Sequence, residues 1–381
     1  MAETTSRRLG LYCHIPFCAS SCDFCAFYRE KPYRSDLESY LDGMEEELDW
    51  MEPDRPFDTI FWGGGTPTLL PAKDLERLGR AVVENGGGRA EEWTVEMAPS
   101  TVKPDKLEVL KALGVNRISM GVQSFNEHFL EILGRRHGSR QVYQAYDWIR
   151  QAGFTNVNLD LMIALPGQGL EDLLEDLEEA CQLEPDHLSA YGLTFEEDTV
   201  LWAKLAKGEL RRDEDREADL YEAVWDFLPA HGYHQYEISN FCRPGFHCRH
   251  NLDTWRMKEW IGVGPAAASQ HERVRYSNAA DLPAWLGQTR AEVGDRHDVR
   301  LLTDSELLED AVIFGLRMDE GVSINELSRR FPNYRGEAFS AFFEFLKGEG
   351  LATIVGGDRV KLTRSGKLLT DRIGVAFLNS L

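Results

Sequence analysis

His14-Ile15-Pro16-Phe17-Cys18-Ala19-Ser20-Ser21-Cys22-Asp23-Phe24-Cys25 sets three cysteines at the spacing CxxxCxxC. Thiolate is the soft ligand that iron–sulfur clusters take. Three thiolates this close can hold three irons of a cubane and leave the fourth iron open to a small molecule. Position 26, where a fourth nearby ligand could stand, is alanine. A rival reading is structural zinc, which closes its shell with four ligands; His14 can supply the fourth. Inert thiols are the plain alternative. A disulfide is poorly served by cysteines so close together, and the total of seven is odd.

Working outward, the apolar run Leu9–Ile15 before the triplet reads as a strand. From there to about Glu237, short apolar runs alternate with amphipathic stretches, the pattern of repeated βα units around a parallel sheet. Further strands are predicted at Thr59–Trp62, Trp93–Met97, Arg117–Val122, Asn156–Met162, His187–Leu193 and His234–Ile238. Helices are predicted at Asp36–Trp50, Ala72–Glu84, Pro104–Leu113, Asn126–Leu133, Arg140–Ala152, Leu170–Gln182 and Glu214–His231. Gly114, Gly153 and Gly232 stand where helices should stop. The alternation suits an incomplete (β/α) barrel, in which chemistry gathers at the C-terminal ends of the strands. The cysteine loop, the run Gly63-Gly64-Gly65-Thr66-Pro67, Glu96 and Gln123 all fall at such ends.

The character changes near residues 283–300, with Pro283 and the polar stretch Gly287–Val299. Helices are predicted beyond it at Ser305–Arg317, Ser323–Arg330 and Gly336–Lys347, the middle one opened by a Ser323-x-x-Glu326 capping box. Two short strands, Leu351–Val355 and Arg359–Leu362, are joined by Gly356-Gly357-Asp358. The predicted division is therefore a core over 1–238, an extension and linker over 239–300, and a small α+β domain over 301–381 that resembles a winged helix. Residues 301–381 hold 10 Lys/Arg against 12 Asp/Glu, which argues against DNA binding there.

The whole chain, 381 residues with net charge −22 and pI near 4.9, is equally ill suited to nucleic acid. Met1 to Arg8 are polar, and no apolar run approaches the ~20 residues of a membrane helix. The expectation is a cytoplasmic protein with neither signal peptide nor span, in the reducing compartment that thiolates need. Cys13, Cys181, Cys242 and Cys248 are scattered; Cys181, in a helical pattern, reads as a small buried apolar residue.

CxxxCxxC with an aromatic residue, Phe24, before the last cysteine resembles the signature of radical S-adenosylmethionine (SAM) enzymes. The likeness extends to Tyr12-Cys13-His14-Ile15-Pro16-Phe17-Cys18 and to Phe61-Trp62-Gly63-Gly64-Gly65-Thr66-Pro67-Thr68. It continues in Arg117-Ile118-Ser119-Met120-Gly121-Val122-Gln123-Ser124-Phe125 and Asn158-Leu159-Asp160-Leu161-Met162. These stretches are similar to the oxygen-independent coproporphyrinogen III oxidases and their relatives, the heme chaperones of the HemW type. The resemblance implies a partial (β/α)6 radical SAM barrel and a [4Fe-4S] cluster on Cys18, Cys22 and Cys25. It also implies SAM chelating the open iron through its amine and carboxylate. Gly64, Gly65 and Thr66 belong to the segment that receives the amino group. Tyr12 and Phe24 match cofactor contacts, the plain alternative being that each simply packs. Glu96, Gln123, Arg135 and Asp160 match further polar contacts; Arg136 is adjacent, so either arginine can be the one turned inward. The implied reaction passes an electron, from a donor such as flavodoxin or ferredoxin, through the cluster into the sulfonium, giving methionine and a 5′-deoxyadenosyl radical.

Two branches of the family differ beyond this shared chemistry. The dehydrogenase branch resembles a two-SAM enzyme of porphyrin biosynthesis with an N-terminal extension and a cysteine just past the third ligand. Here 17 residues precede Cys18, and Ala26-Phe27 follow Cys25. The run from Tyr236 to Asn251 looks like the chaperone segment that leads into a His-Asn-x-x-Tyr-Trp motif linked to heme. His250 is the implied heme ligand, with Thr254 in the tyrosine position and Ala268 where many relatives keep histidine. The plain alternative is that His250 braces the domain. The expectation is a heme chaperone that binds heme and passes it to an acceptor protein. A coproporphyrinogen dehydrogenase acting on a porphyrinogen, or a non-catalytic heme-binding module with a regulatory cluster, are the alternatives.

Overall fold

The computed structural model describes residues 8–332 and 336–379; the polar start of the chain, residues 1–7, lies outside them. Six strands run parallel in sequence order: β1 (Leu9–Ile15), β2 (Thr59–Gly64), β3 (Glu92–Met97), β4 (Arg117–Gln123), β5 (Val157–Ile163) and β6 (His187–Gly192). The connections carry α1 (Arg34–Met51), α2 (Ala72–Glu84), α3 (Pro104–Leu113), α4 (Glu127–Ile132), α5 (Ser139–Gln151) and α6 (Leu170–Gln182). After β6 come α7 (Val200–Ala206) and α8 (Glu214–Ala230). This is the predicted open half-barrel. Gly114, Gly153 and Gly232 take the left-handed conformation at helix ends, as expected.

The alternation along each strand decides what faces where. Leu9, Leu11, Cys13 and Ile15 of β1, or Ile118, Met120 and Val122 of β4, join the apolar core beneath the helices. The intervening residues line the barrel interior and are polar: His14, Glu92, Glu96, Arg117, Ser119, Gln123, Asn158 and His187 are all buried or nearly so.

Two departures from the sequence reading have physical causes. The strand predicted at His234–Ile238 stops at β7 (His234–Gln235), antiparallel to β8 (Asn240–Cys242), which itself pairs antiparallel with β6. Glu237, buried, accepts Ser239 N at 3.0 Å and Asn240 Nδ2, and the turn it makes ends the strand. After α9 (Arg249–Trp255), the stretch read as extension and linker adds β9 (Glu259–Val263), parallel to β1 on its free side. Next come β10 (Ala268–His271), β11 (Val274–Ser277), α10 (Leu282–Leu286) and β12 (His297–Leu301), the strands antiparallel. The sheet thus reaches twelve strands, in the order β12-β11-β10-β9-β1-β2-β3-β4-β5-β6-β8-β7.

The C-terminal part packs α11 (Asp304–Arg317), β13 (Val322–Ser323), α12 (Ile324–Arg330), α13 (Gly336–Gly348), β14 (Ala352–Val355) and β15 (Arg359–Leu362) around its own core. Its small antiparallel sheet has the order β13-β15-β14, and two helices absent from the sequence reading, α14 (Arg364–Leu368) and α15 (Thr370–Leu378), follow. Ser323 caps α12 by accepting Glu326 N at 3.1 Å; the fully reciprocal box stands instead at Thr303 and Glu306, opening α11. Among the described residues no helix is long and apolar enough to cross a membrane.

One buried carboxylate pins the added strands to the barrel. Glu47 of α1 accepts Gly264 N at 2.7 Å and Trp285 Nε1 at 2.9 Å on one oxygen, and Asn278 Nδ2 at 2.9 Å and Arg296 at 2.7 Å on the other. Burial pushes its pKa up, and Arg296 opposes that most strongly. Four donors satisfy the charge in an otherwise costly position. Arg296→Met, which leaves the carboxylate uncompensated, is expected to cost about 3–5 kcal/mol in a denaturant titration; a loss near zero would show that the pair does not hold the sheet extension.

Candidate functional site

The C-terminal ends of the six parallel strands open into a cavity of about 980 Å³. Its rim carries the loop that follows β1. The neck of that loop is closed by backbone pairing of Phe17 with Glu30, with Cys18 N donating to Glu30 O at 3.0 Å and Glu30 N to Pro16 O at 2.8 Å. Arg29 staples the interior, donating to Cys25 O at 2.7 Å and to Ser21 Oγ. Asp23 N donates to Leu133 O at 2.9 Å, tying the loop to the end of α4. Cys18, Cys22 and Cys25 are thereby held half-buried on the cavity wall, with Phe24 between the last two.

Burial raises the Cys18 and Cys22 thiols, while the Arg135 guanidinium pulls them back down. Among the described residues no group of three His, Cys, Asp or Glu side chains is gathered as for a single metal ion. His14, the possible fourth zinc ligand, has both ring nitrogens engaged: Nδ1 lies 3.1 Å from the Tyr12 hydroxyl and Nε2 lies 3.2 Å from Tyr28 O.

Gly64, Gly65 and Thr66 line the cavity directly beside the loop. Gly64 has φ +97°, and a Cβ there would sit 2.4 Å from the His14 ring; a Cβ on Gly65 would sit 2.7 Å from Ile15 O and Phe17 O. Only glycine permits this approach. The N–H groups are spent within the protein: Gly65 on Ile15 O at 2.9 Å, Thr66 on Phe17 O at 2.8 Å, Gly64 on Glu96 Oε2 at 3.3 Å. A ligand amine can therefore meet this segment only through its oxygens.

Glu96, Gln123, Arg135 and Asp160 come from β3, β4, the loop after α4, and β5, and all reach the same wall. Gln123 is held at φ +71° by a register shift between Gly121 and Gln123. A Cβ on Gly121 would lie 2.9 Å from Gln123 Nε2 and 3.4 Å from the Arg135 guanidinium, so Gly121 lets both fold over it. Arg135 lies 5.8 Å above the Phe24 ring, and its buried Nε has no partner among the described residues. Arg135 is half-buried and Arg136 exposed; the first is the inward arginine. Asp160 accepts Asn158 Nδ2 at 2.8 Å and Ser119 Oγ at 3.1 Å. Burial, then the nearby Asp160, pushes the Glu96 carboxyl up to about 8.

Two predicted residues stay off the cavity wall. Tyr12 sits behind it, its hydroxyl on His14. His250 lies at the opposite, N-terminal end of the strands, buried on α9, with Nδ1 3.0 Å from Thr59 Oγ1 and its ring 5.3 Å from that of Phe61. Glu92 accepts the backbone N–H groups of Arg249 and His250 at 2.9 and 3.0 Å, so α9 plugs the barrel floor. Burial lowers the His250 pKa to about 4. That packing is the one the bracing alternative calls for. Arg29, which clamps the loop, and Tyr191, on the wall at the end of β6, were missed in the sequence. Tyr191 was findable from its place at a strand end; Arg29 carried no local signal.

Residues 12–180 match the Radical SAM superfamily, and residues 302–369 match the HemN C-terminal domain. The heme chaperone HemW of Lactococcus lactis is 34% identical over 363 residues, 95% of this chain and 93% of the relative. That of Bacillus subtilis is 34% identical over 378 residues, 97% and 99% of the two chains. That of Escherichia coli is 38% identical over 280 residues, 72% of each. The solved structure of coproporphyrinogen III oxidase (HemN) from Escherichia coli, described as a radical SAM enzyme, superposes with a TM-score of 0.83 at 25% identity, covering 98% of this chain and 91% of that one. The superfamily implies a [4Fe-4S] cluster and SAM. Three half-buried thiols on the cavity wall, and a buried Arg135 nitrogen without a partner among the described residues beside them, fit that pair. Similarity that runs almost end to end, in a chain whose motifs meet where the barrel opens, makes this protein a member of the radical SAM superfamily, in the HemW-type branch of the HemN-like family.

Proposed function

We propose that the chain holds a [4Fe-4S] cluster on Cys18, Cys22 and Cys25, binds SAM at the remaining iron, and carries heme to an acceptor protein. The observation that carries this reading is the near-complete overlap with relatives named heme chaperones, at higher identity than with the oxidase. When bound, the cluster supplies the electron for reductive cleavage of SAM. The protein's own part is to hold the ligands. The Phe17–Glu30 neck and Arg29 keep the thiolates in place, Arg135 offers positive charge, and the oxygens of Gly64–Thr66 with Glu96 and Asp160 offer acceptors to the amine and ribose hydroxyls. A reduced flavodoxin or ferredoxin is the electron donor in this reading. The cytoplasm, where thiols stay reduced, is the compartment. His250 keeps its bracing role, and heme attaches elsewhere.

A second reading, oxidation of coproporphyrinogen, draws on the likeness of the whole fold to HemN. A third is a heme module whose cluster only regulates. Side-by-side assays of anaerobically reconstituted protein separate them: a Soret band on heme titration with porphyrinogen untouched supports the chaperone, and porphyrinogen consumption overturns it. SAM cleavage to 5′-deoxyadenosine, absent in the third reading, is the remaining discriminator.

Cys22→Ala is expected to abolish cluster iron and SAM cleavage while the heme titration is unchanged; loss of both would merge the two sites. His250→Ala should leave the Soret titration unaltered and cost about 1–3 kcal/mol of stability; a vanished Soret band would restore His250 as the ligand. SAM is cationic, so it binds better once Glu96 ionises, and affinity should rise from pH 7 to 9 through the Glu96 value of about 8. The α-amine of SAM titrates in the same range. Isothermal titration should therefore find a shallower slope in Glu96→Gln, and equal slopes would remove Glu96 from the SAM site.

A further inference from the structure

Beneath the cavity, a column of polar side chains runs down the barrel interior. Asp160 Oδ1 accepts Asn158 Nδ2 at 2.8 Å, and Oδ2 accepts Ser119 Oγ at 3.1 Å. Asn158 Nδ2 also donates to Ser119 Oγ at 2.8 Å. Asn158 Oδ1 lies 2.6 Å from His187 Nδ1 and 3.2 Å from Ser189 Oγ. His187 Nε2 lies 2.7 Å from the Tyr236 hydroxyl, which accepts Cys248 N–H at 3.3 Å. Asn158 and His187 have essentially no solvent exposure.

With Asp160 ionised, donors and acceptors permit one direction along this column; a protonated Asp160 would turn the Asn158 amide over and reverse every bond below it. The Asp160 oxygen fixes which end of the Asn158 amide carries nitrogen. The amide oxygen at the other end only accepts, so His187 Nδ1 must carry a proton. Burial holds that imidazole neutral, its pKa driven far down. Nε2 is then an acceptor, and the Tyr236 hydroxyl donates to it. The Tyr236 O–H, His187 Nδ1–H and Asn158 Nδ2–H bonds thus point up the column toward Asp160. Hydrogen bonds donated to a carboxylate favour its charged form.

Glu96 is the other buried acid. It stands on β3 opposite Ser119 and receives one long donor, Gly64 N at 3.3 Å. Two acids in one desolvated site are forced apart, one keeping its proton. The groups facing them are Arg117 from β4, Arg135 from the loop after α4, Tyr12 from β1 and Tyr191 from β6. Arg117 acts on both acids and does not choose between them. The column does choose, since it reaches Asp160 alone.

We infer that Asn158, His187 and Tyr236 are positioning residues that fix Asp160 as the charged member of the buried acid pair and leave Glu96 holding the proton. At neutral pH the cavity then offers a cationic ligand one charged acceptor, Asp160, and one hydrogen-bond donor, Glu96; ionisation of Glu96 at higher pH adds the second charge. The consequence for SAM affinity rests on the reading proposed above; the charge assignment concerns only the protein's own groups.

Carboxyl carbon-13 NMR of the full chain, labelled in Asp and Glu, tests the assignment, with signals identified by Asp160→Asn and Glu96→Gln. The Asp160 signal should stay at its carboxylate position from about pH 6 to pH 9, while Glu96 titrates within that range. Nitrogen-15 spectra should find His187 as the Nδ1–H tautomer. In His187→Phe, and in the milder Tyr236→Phe, Asp160 should begin to titrate. His187→Gln, which can still donate to Asn158, should restore the fixed signal. The SAM dissociation constant should rise about tenfold in His187→Phe, the scale of a hydrogen bond to a charged group, and recover in His187→Gln. An Asp160 that titrates in the unsubstituted chain, or a proton on His187 Nε2, overturns the inference. If the unsubstituted protein binds no SAM while Asp160 stays charged, the functional reading fails and the column stands.

Discussion

The site depends on a loop closed at its neck by backbone pairing of Phe17 with Glu30, which holds three thiols on the cavity wall. His14, the nearest candidate for a fourth ligand, is turned between Tyr12 and Tyr28 and closed over by Gly64. In the proposed cluster site, an open coordination position would come from packing behind the loop as much as from the cysteine spacing.

Behind that wall the barrel is unusual in what it encloses. Small barrels are commonly filled by branched aliphatic residues, but here the inward positions of β3 to β6 carry acids, amides, a histidine and an arginine. Such an interior is tolerable only because its groups satisfy one another. The apolar packing that offsets its desolvation lies on the outer face, between strands and helices. The interior is closed below by α9, whose first N–H groups Glu92 accepts, and the strands beyond β9 are held against α1 by Glu47. Cavity wall, polar column and floor are thus continuous, and the floor helix leads straight into the C-terminal core through Met257.

Much of this was legible in the sequence, and for a definite reason. Parallel strands buried on their outer face leave apolar runs of the right length, and glycines at helix ends mark the stops, so the six βα units could be read within a residue or two. The cavity-lining residues were legible where they sat at strand ends or in motifs, as with Glu96, Gln123 and Asp160. What failed was long-range. Nothing local announces that Glu237 will turn the chain, or that Glu259–Val263 will seek the free edge of β1. His250 stands in a stretch that resembles a heme motif, yet its surroundings, Thr59, Phe61 and Gly10, come from the first two strands and cannot be seen from the motif alone.

The central claim is an iron without a protein ligand. Mössbauer spectroscopy of protein reconstituted anaerobically with iron-57, before and after SAM is added, addresses it most directly. The expected result is a cubane in which one iron site changes its isomer shift when SAM binds and the other three do not. Four equivalent sites indifferent to SAM, or a chain that takes up zinc in place of the cubane, would contradict it.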